Sequence, residues 1–233
     1  MMPKLIIITG SRKGIGRYLS EYYLNKGMVV CGFSRRDSDL NHENYHHYNA
    51  DVSDEKLVGK LIRSIKKEFG KVDYLINNAG IASMNHTLLT PLSTVEKIMD
   101  TNFKGTFIFS REVSKIMIKE KFGRIINFTT VAVPMNLEGE SIYASSKAAV
   151  ETFTKVLARE LGSLGITCNA VGPSPIKTDL IKNVPEGKIQ ELLSKQAISE
   201  FSNLEDVANV TDFFLKEESK MITGQIIYLS GVN

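Results

Sequence analysis

Tyr143 and Lys147 stand four residues apart in Ser141-Ile142-Tyr143-Ala144-Ser145-Ser146-Lys147, inside a stretch whose apolar spacing predicts a helix from about Tyr143 to Leu164. Residues i and i+4 share a helix face, so the ammonium is placed to favour phenolate and to pull a tyrosine pKa of about 10 downward. A tyrosine so poised gives a proton to a carbonyl oxygen or takes one from an alcohol. Tyr/Lys pairs also occur on helices without chemistry, so their company decides. Thr9-Gly10-Ser11-Arg12-Lys13-Gly14-Ile15-Gly16 follows an apolar run and opens a helix, the place where backbone N–H groups and the helix dipole can face a pyrophosphate. Its spacing is G-x-x-x-G-x-G rather than G-x-G-x-x-G. A third cluster is Ser34-Arg35-Arg36-Asp37 at the end of the second apolar run. There Ser34 and Arg35 offer a hydroxyl and a guanidinium suited to the 2′-phosphate of NADP, with Lys13 as a second cation, and NADP is the expected cofactor. Asp37 would serve the ribose diol of NAD if the strand ended later.

Short β-branched runs alternate with helical ones along the chain. Strands are expected at Lys4 to Thr9, Met28 to Phe33, His47 to Ala50, Tyr74 to Asn77, Arg124 to Phe128, Thr167 to Val171 and Gln225 to Leu229. Helices are expected near Gly16 to Asn25, Glu55 to Phe69, Thr94 to Lys121, Tyr143 to Leu164 and Glu205 to Phe214. This alternation predicts an α/β doubly wound (Rossmann) fold with about seven parallel strands and helices on both faces. With 233 residues and neither a linker nor a repeat, the chain reads as one dinucleotide-binding and catalytic domain, 1–233. The least regular part, 172–202, holds Pro173, Pro175 and Pro185 and is expected to hang over the carboxyl ends of the strands as a substrate loop.

The composition, 42% hydrophobic, 24% charged and net charge +3, suits an ordinary globular protein and gives little argument for nucleic acid. Cys31 and Cys168 lie in apolar runs and read as buried free thiols, which suits the cytoplasm. No signal peptide and no membrane span are expected. His42, His46 and His47 with Asp39 and Glu43 fit no closed ligand set, so no metal is expected. The basic stripe Lys60, Arg63, Lys66, Lys67 and Lys71 reads as a solvated helix face.

Taken together, the glycine turn TGxxxGxG, Asn77-Asn78-Ala79-Gly80, Asn102 in Asn102-Phe103-Lys104-Gly105, Tyr143-x-x-x-Lys147 and Ile222-Thr223-Gly224-Gln225 resemble, in order and over the whole chain, the classical short-chain dehydrogenase/reductase family, and within it the 3-oxoacyl-acyl-carrier-protein reductases. The resemblance implies NAD(P)-dependent hydride transfer between a carbonyl and an alcohol. It assigns Tyr143 as proton donor, Lys147 as its partner, and Asn102 as holder of a relay water. The family serine that orients the substrate oxygen is replaced by Thr130, whose hydroxyl has the same donor and acceptor capacity but an added methyl. The implied cofactor contacts are Gly10 to Gly16, Ser34, Arg35, Asp51 and Val52 at the adenine, Asn78, Ala79, Gly80, Tyr143, Lys147, Pro173, Ile176, and Thr178 at the carboxamide. Two departures are Ser174 in the family's PG pair and Ser230 near the C-terminus; with Thr130 they keep open a second reading, a cofactor-binding regulator or scaffold with a degenerate site. The resemblance also implies a homotetramer or homodimer built on the helices Thr94 to Lys121 and Tyr143 to Leu164, and a small-molecule substrate that no residue names.

Overall fold

The computed structural model describes residues 3–179, 181 and 184–232. Seven strands form one parallel sheet: β1 Leu5–Thr9, β2 Val29–Ser34, β3 Tyr45–Asn49, β4 Tyr74–Asn77, β5 Gly123–Phe128, β6 Ile166–Gly172 and β7 Ile226–Tyr228, in the order β3-β2-β1-β4-β5-β6-β7. Side chains alternate between faces along each strand. Leu5, Ile7, Cys31, Leu75, Ile125 and Cys168 bury on one face beneath α2 (Glu55–Phe69), α4 (Gly105–Glu120) and α6 (Ser141–Leu161). Ile6, Ile8, Val30, Ile76, Ile126 and Val171 bury on the other against α1 (Gly14–Asn25) and α8 (Leu204–Leu215). The strands therefore carry apolar residues on both sides, as a covered parallel sheet requires. The strand order reverses between β1 and β4, and a crevice opens at the carboxyl ends of the strands at that switch.

Beyond shifts of one or two residues at most element ends, three stretches differ from the sequence reading. The single helix expected over Thr94 to Lys121 is α3 (Leu92–Met99), a π-helical turn at Asp100–Lys104 and α4. The helix containing Tyr143 starts at Ser141 and ends at Leu161, followed by a 3₁₀ turn, Gly162–Leu164. The irregular stretch 172–202 contains helix α7 (Glu186–Ser194); its residues 180, 182 and 183 lie outside the described residues. A short helix, α5 (Ala132–Met135), also follows β5. Both cysteines are fully buried and free, and burial pushes the Cys31 thiol up to about 12.

Candidate active site

The glycine turn between β1 and α1 is built for close approach. Gly10 has φ +70° and Gly14 φ +53°, backbone that favours glycine, and a Cβ on Gly10 would lie 2.8 Å from Asn78 Nδ2. A Cβ on Gly16 would meet Gly10 O at 2.3 Å. Helix α1 starts with no side-chain cap and no acidic residue in its first turn, which leaves its N–H groups and positive dipole end turned to the crevice. Thr9 braces the turn against β4. Its Oγ1 accepts the N–H groups of Asn78 at 3.1 Å and Ala79 at 3.0 Å, and Asn78 Nδ2 donates to Thr9 O at 3.0 Å.

A cavity of about 690 Å³ lies over the carboxyl ends of the strands, lined by Gly10, Arg12, Lys13, Gly14 and Ile15 of this turn and by Asn78, Ala79 and Gly80 beside it. Ser34, Arg35, Arg36, Asp51 and Val52 line it where an adenine ribose would lie. Two expected contacts are absent from its wall. Ser11 is buried, with its N–H given to Phe33 O at 3.2 Å and its hydroxyl beside Tyr45 Oη at 3.1 Å, and Gly16 is enclosed by the turn itself. Ser34 lines the cavity, but its hydroxyl donates to Arg36 O at 2.5 Å. β2 ends at Ser34 and Asp37 accepts from Asn49 Nδ2, so the ribose position expected of an acid at a longer strand is not filled by Asp37. Lys13 is ion-paired to Asp179 at 2.6 Å.

A second cavity, about 500 Å³, shares Ile15, Asn78, Gly80 and Thr178 with the first, and Thr130, Tyr143, Lys147, Pro173 and Ile176 stand in its wall. Thr178 reaches over Gly14, where a Cβ would lie 3.6 Å from its Cγ2. Tyr143 and Lys147 share the inner face of α6, both buried. Lys147 Nζ donates to Phe128 O at the end of β5, 2.8 Å away, and burial pushes its ammonium down to about 8. The Tyr143 phenol moves opposite to the sequence expectation. Burial pushes it up to about 12 and the Glu140 carboxylate adds to the rise, while the Thr130 hydroxyl pulls it down. The phenol therefore holds its proton at neutral pH.

Asn102 sits in the π-helical turn, fully buried, and all its side-chain polar atoms go to protein. Oδ1 accepts from Ile81 N at 2.9 Å; Nδ2 donates to Ile81 O and Ser146 Oγ, each at 2.9 Å. Ser146 Oγ in turn donates to Tyr143 O at 2.7 Å. The side chain thus pins the segment after Gly80 to helix α6, and does not reach the cavity as expected for a water holder. A Cβ on Gly80 would sit 3.3 Å from Lys147 Nζ and 3.4 Å from Asn102 Oδ1, so this glycine keeps the strand end against both.

Glu151 and Tyr228, which the sequence reading passed over, support this geometry through Thr129, the neighbour of Thr130. Thr129 donates to Glu151 Oε1 at 2.5 Å, and Tyr228 of β7 donates to the same oxygen at 2.6 Å, which ties the ends of β5 and β7 to α6. Thr130 Oγ1 accepts Ala132 N–H at 3.3 Å, and Thr130 stands beside Thr129 in the cavity wall. Nothing in the spacing of Glu151 or Thr129 marks them, since their pairing is made across the sheet. His46 packs its ring on Phe69, with centroids 5.0 Å apart, and His47 bonds within the β2–β3 corner.

Among proteins of known sequence, the family model for short chain dehydrogenases matches residues 4–189. The 3-oxoacyl-[acyl-carrier-protein] reductase FabG of Escherichia coli (strain K12) is 31% identical over 234 residues, 98% of this chain and 96% of that one. Among solved structures, ElxO with NADP bound superposes with a TM-score of 0.91 at 32% identity, covering 99% of this chain and 98% of that chain. 4-Hydroxyisoleucine dehydrogenase complexed with NADH gives 0.85 at 27% identity, covering 98% of this chain and 97% of that one. The chain belongs to the short-chain dehydrogenase family. It is an NAD(P)-dependent oxidoreductase acting between CH–OH and C=O groups.

Proposed function

We propose that the chain is an NADPH-dependent carbonyl reductase in which Tyr143 donates the proton, Thr130 orients the substrate oxygen, Lys147 keeps a positive charge near the phenol and Asn102 positions their supports, all within one domain. The observation that carries this reading is the meeting of the two cavities at Asn78, Gly80 and Thr178, with Thr130, Tyr143 and Lys147 in the wall beyond. The open start of α1 and the space left by Gly10 and Gly14 fit a pyrophosphate, and Arg12 and Arg35 fit a 2′-phosphate. When bound, NADPH supplies the hydride. The protein's part is to hold a carbonyl oxygen between the Thr130 and Tyr143 hydroxyls and to pass it the phenol proton. Tyr143 carries its proton at neutral pH, and the Thr130 hydroxyl beside it favours the phenolate left by donation. Screening NADPH oxidation against ketones, quinones and acyl thioesters tests the reading; tight NADPH binding without turnover of any of them would favour the scaffold instead.

The pH dependence follows from Lys147. Its ammonium is charged below about 8 and neutral above, while the phenol stays protonated throughout. For reduction, kcat/KM for NADPH, which reports free enzyme, is therefore expected to be level below that pH and to fall about tenfold per unit above it. An initial-rate profile that stays level through pH 10 would show that the lysine charge is not required.

We also place the enzyme in the cytoplasm, on the strength of its buried free thiols; no helix among the described residues is long and apolar enough to cross a membrane. We further propose a homodimer or homotetramer packed on α4 and α6, which leave Phe107 38%, Ile118 37% and Val156 48% exposed. Light scattering at micromolar concentration should return a multiple of 26.0 kDa, and the monomer mass would end the idea.

A further inference from the structure

The corner where β2 ends carries the two arginines that face the groove, yet it is held from behind by a residue outside that groove. His47 on β3 pairs with Gly32 on β2, and its Nε2 lies 3.0 Å from Arg36 O and 3.1 Å from Ser34 Oγ. Ser34 Oγ itself donates to Arg36 O at 2.5 Å, so the three groups close a triangle. A carbonyl oxygen only accepts, which puts the imidazole proton on Nε2 and leaves Nδ1 as an acceptor. Tyr45 Oη, 2.9 Å from Nδ1, donates to it. The Ser11 hydroxyl lies 3.1 Å from that same oxygen. An unbroken hydrogen-bonded line therefore runs from the phosphate turn, through Tyr45 and His47, to the Arg36 carbonyl. Gly32 makes room for it: a Cβ there would fall 2.4 Å from Tyr45 Oη and 2.5 Å from Ser11 Oγ.

We propose that His47 is a positioning residue that sets the preference for a 2′-phosphorylated cofactor, by locking the Arg36–Asp37 peptide at the Arg36 carbonyl and so holding the corner from which the guanidinium of Arg35 is presented to the groove. This rests on the NADPH reading of the same groove. Because the Ser34 hydroxyl is spent on Arg36 O, the phosphate depends on the arginines, and an arginine on an unlocked corner would have to be ordered at the moment of binding. The lock acts only on that corner. The line meets the glycine turn only at the buried Ser11 side chain, which does not line the groove, while the turn's backbone is held by Phe33 O and by Thr9, so a cofactor lacking the phosphate is little affected by His47.

The test compares equilibrium binding of NADPH and NADH, read by quenching of the reduced nicotinamide fluorescence, for the parent, His47→Phe and His47→Gln. The phenylalanine keeps a flat ring on the strand and removes both nitrogen contacts. Its NADPH affinity should fall about tenfold, roughly one contact between charged groups, while NADH stays within about twofold. Glutamine can again donate to Arg36 O and accept from Tyr45, and should restore NADPH affinity to within about threefold of the parent. An unchanged NADPH to NADH ratio in His47→Phe, or an equal loss for both cofactors, overturns the proposal. If His47→Phe does not fold, Tyr45→Phe carries the test, since it removes the donor to Nδ1; an unchanged ratio there overturns the proposal equally. A parent that binds the two cofactors alike would instead overturn the NADPH reading, a result read before any variant is made.

Discussion

Replacing Tyr143 with phenylalanine should lower kcat/KM for carbonyl reduction by about 10²- to 10⁴-fold, the range for losing a positioned proton donor. NADPH affinity should change little, because the phenol sits in the wall of the substrate cavity while the cofactor's phosphates are met at the glycine turn. Thr130→Val, nearly isosteric but without the hydroxyl, should cost roughly 10²-fold, the scale of one oxyanion-type donor. Thr130→Ser should keep or improve the rate, since the hydroxyl remains and the methyl goes. The neighbour offers an internal control: the Thr129 hydroxyl is engaged by Glu151 and does not orient substrate in this reading. Steady-state rates on a confirmed substrate decide it. A Thr130→Val enzyme as active as its parent would remove this residue from the mechanism.

Arg35→Asp should erase or invert the cofactor preference. The parent is expected to bind NADPH at least tenfold more tightly than NADH, since a contact to a charged group contributes about 1.5–3 kcal/mol and each 1.4 kcal/mol is tenfold. Two other groups at the corner have prior engagements, the Ser34 hydroxyl with Arg36 O and the Asp37 carboxylate with Asn49. Lys13 is ion-paired with Asp179. That leaves the weight of discrimination on the arginines lining the groove, Arg12, Arg35 and Arg36, and an aspartate in place of Arg35 would both repel a phosphate and accept from a ribose hydroxyl. Titration of both nucleotides against parent and variant measures it; equal affinities in the parent would show the corner has been misread.

The sheet was legible in the sequence because its strands are short, apolar and β-branched, and the Tyr143 helix because its pattern runs unbroken for five turns. The glycine turn, Thr130, Tyr143 and Lys147 could be named because each is carried by a local motif. What escaped was carried by geometry across elements. Asp100–Lys104 holds one apolar residue, Phe103, between two apolar stretches, and that spacing gave no sign of the π turn; hydrogen-bond register, not hydrophobicity, makes it. Ser11 was counted with its motif, although the space opened by Gly32 draws it inward to Tyr45. The direction of the Tyr143 shift was missed for a similar reason. Four-residue spacing brings Lys147 to the same face, but the burial that raises the phenol comes from other elements packed over it, and the carbonyl that accepts the Lys147 hydrogen bond belongs to β5.

The π turn gives this enzyme a dependence on chain length that side-chain identity does not capture. An α-helix advances about 100° per residue, so one additional residue in the turn leaves α3 and α4 about that far out of phase. Removing a residue between Asp100 and Lys104 would heal the helical hydrogen bonding, yet it would swing Asn102 away from Ile81 and Ser146. The local backbone and the site therefore pull in opposite directions at this point. Every substitution leaves that count of residues intact, so the constraint is written in the number of residues rather than in any one of them.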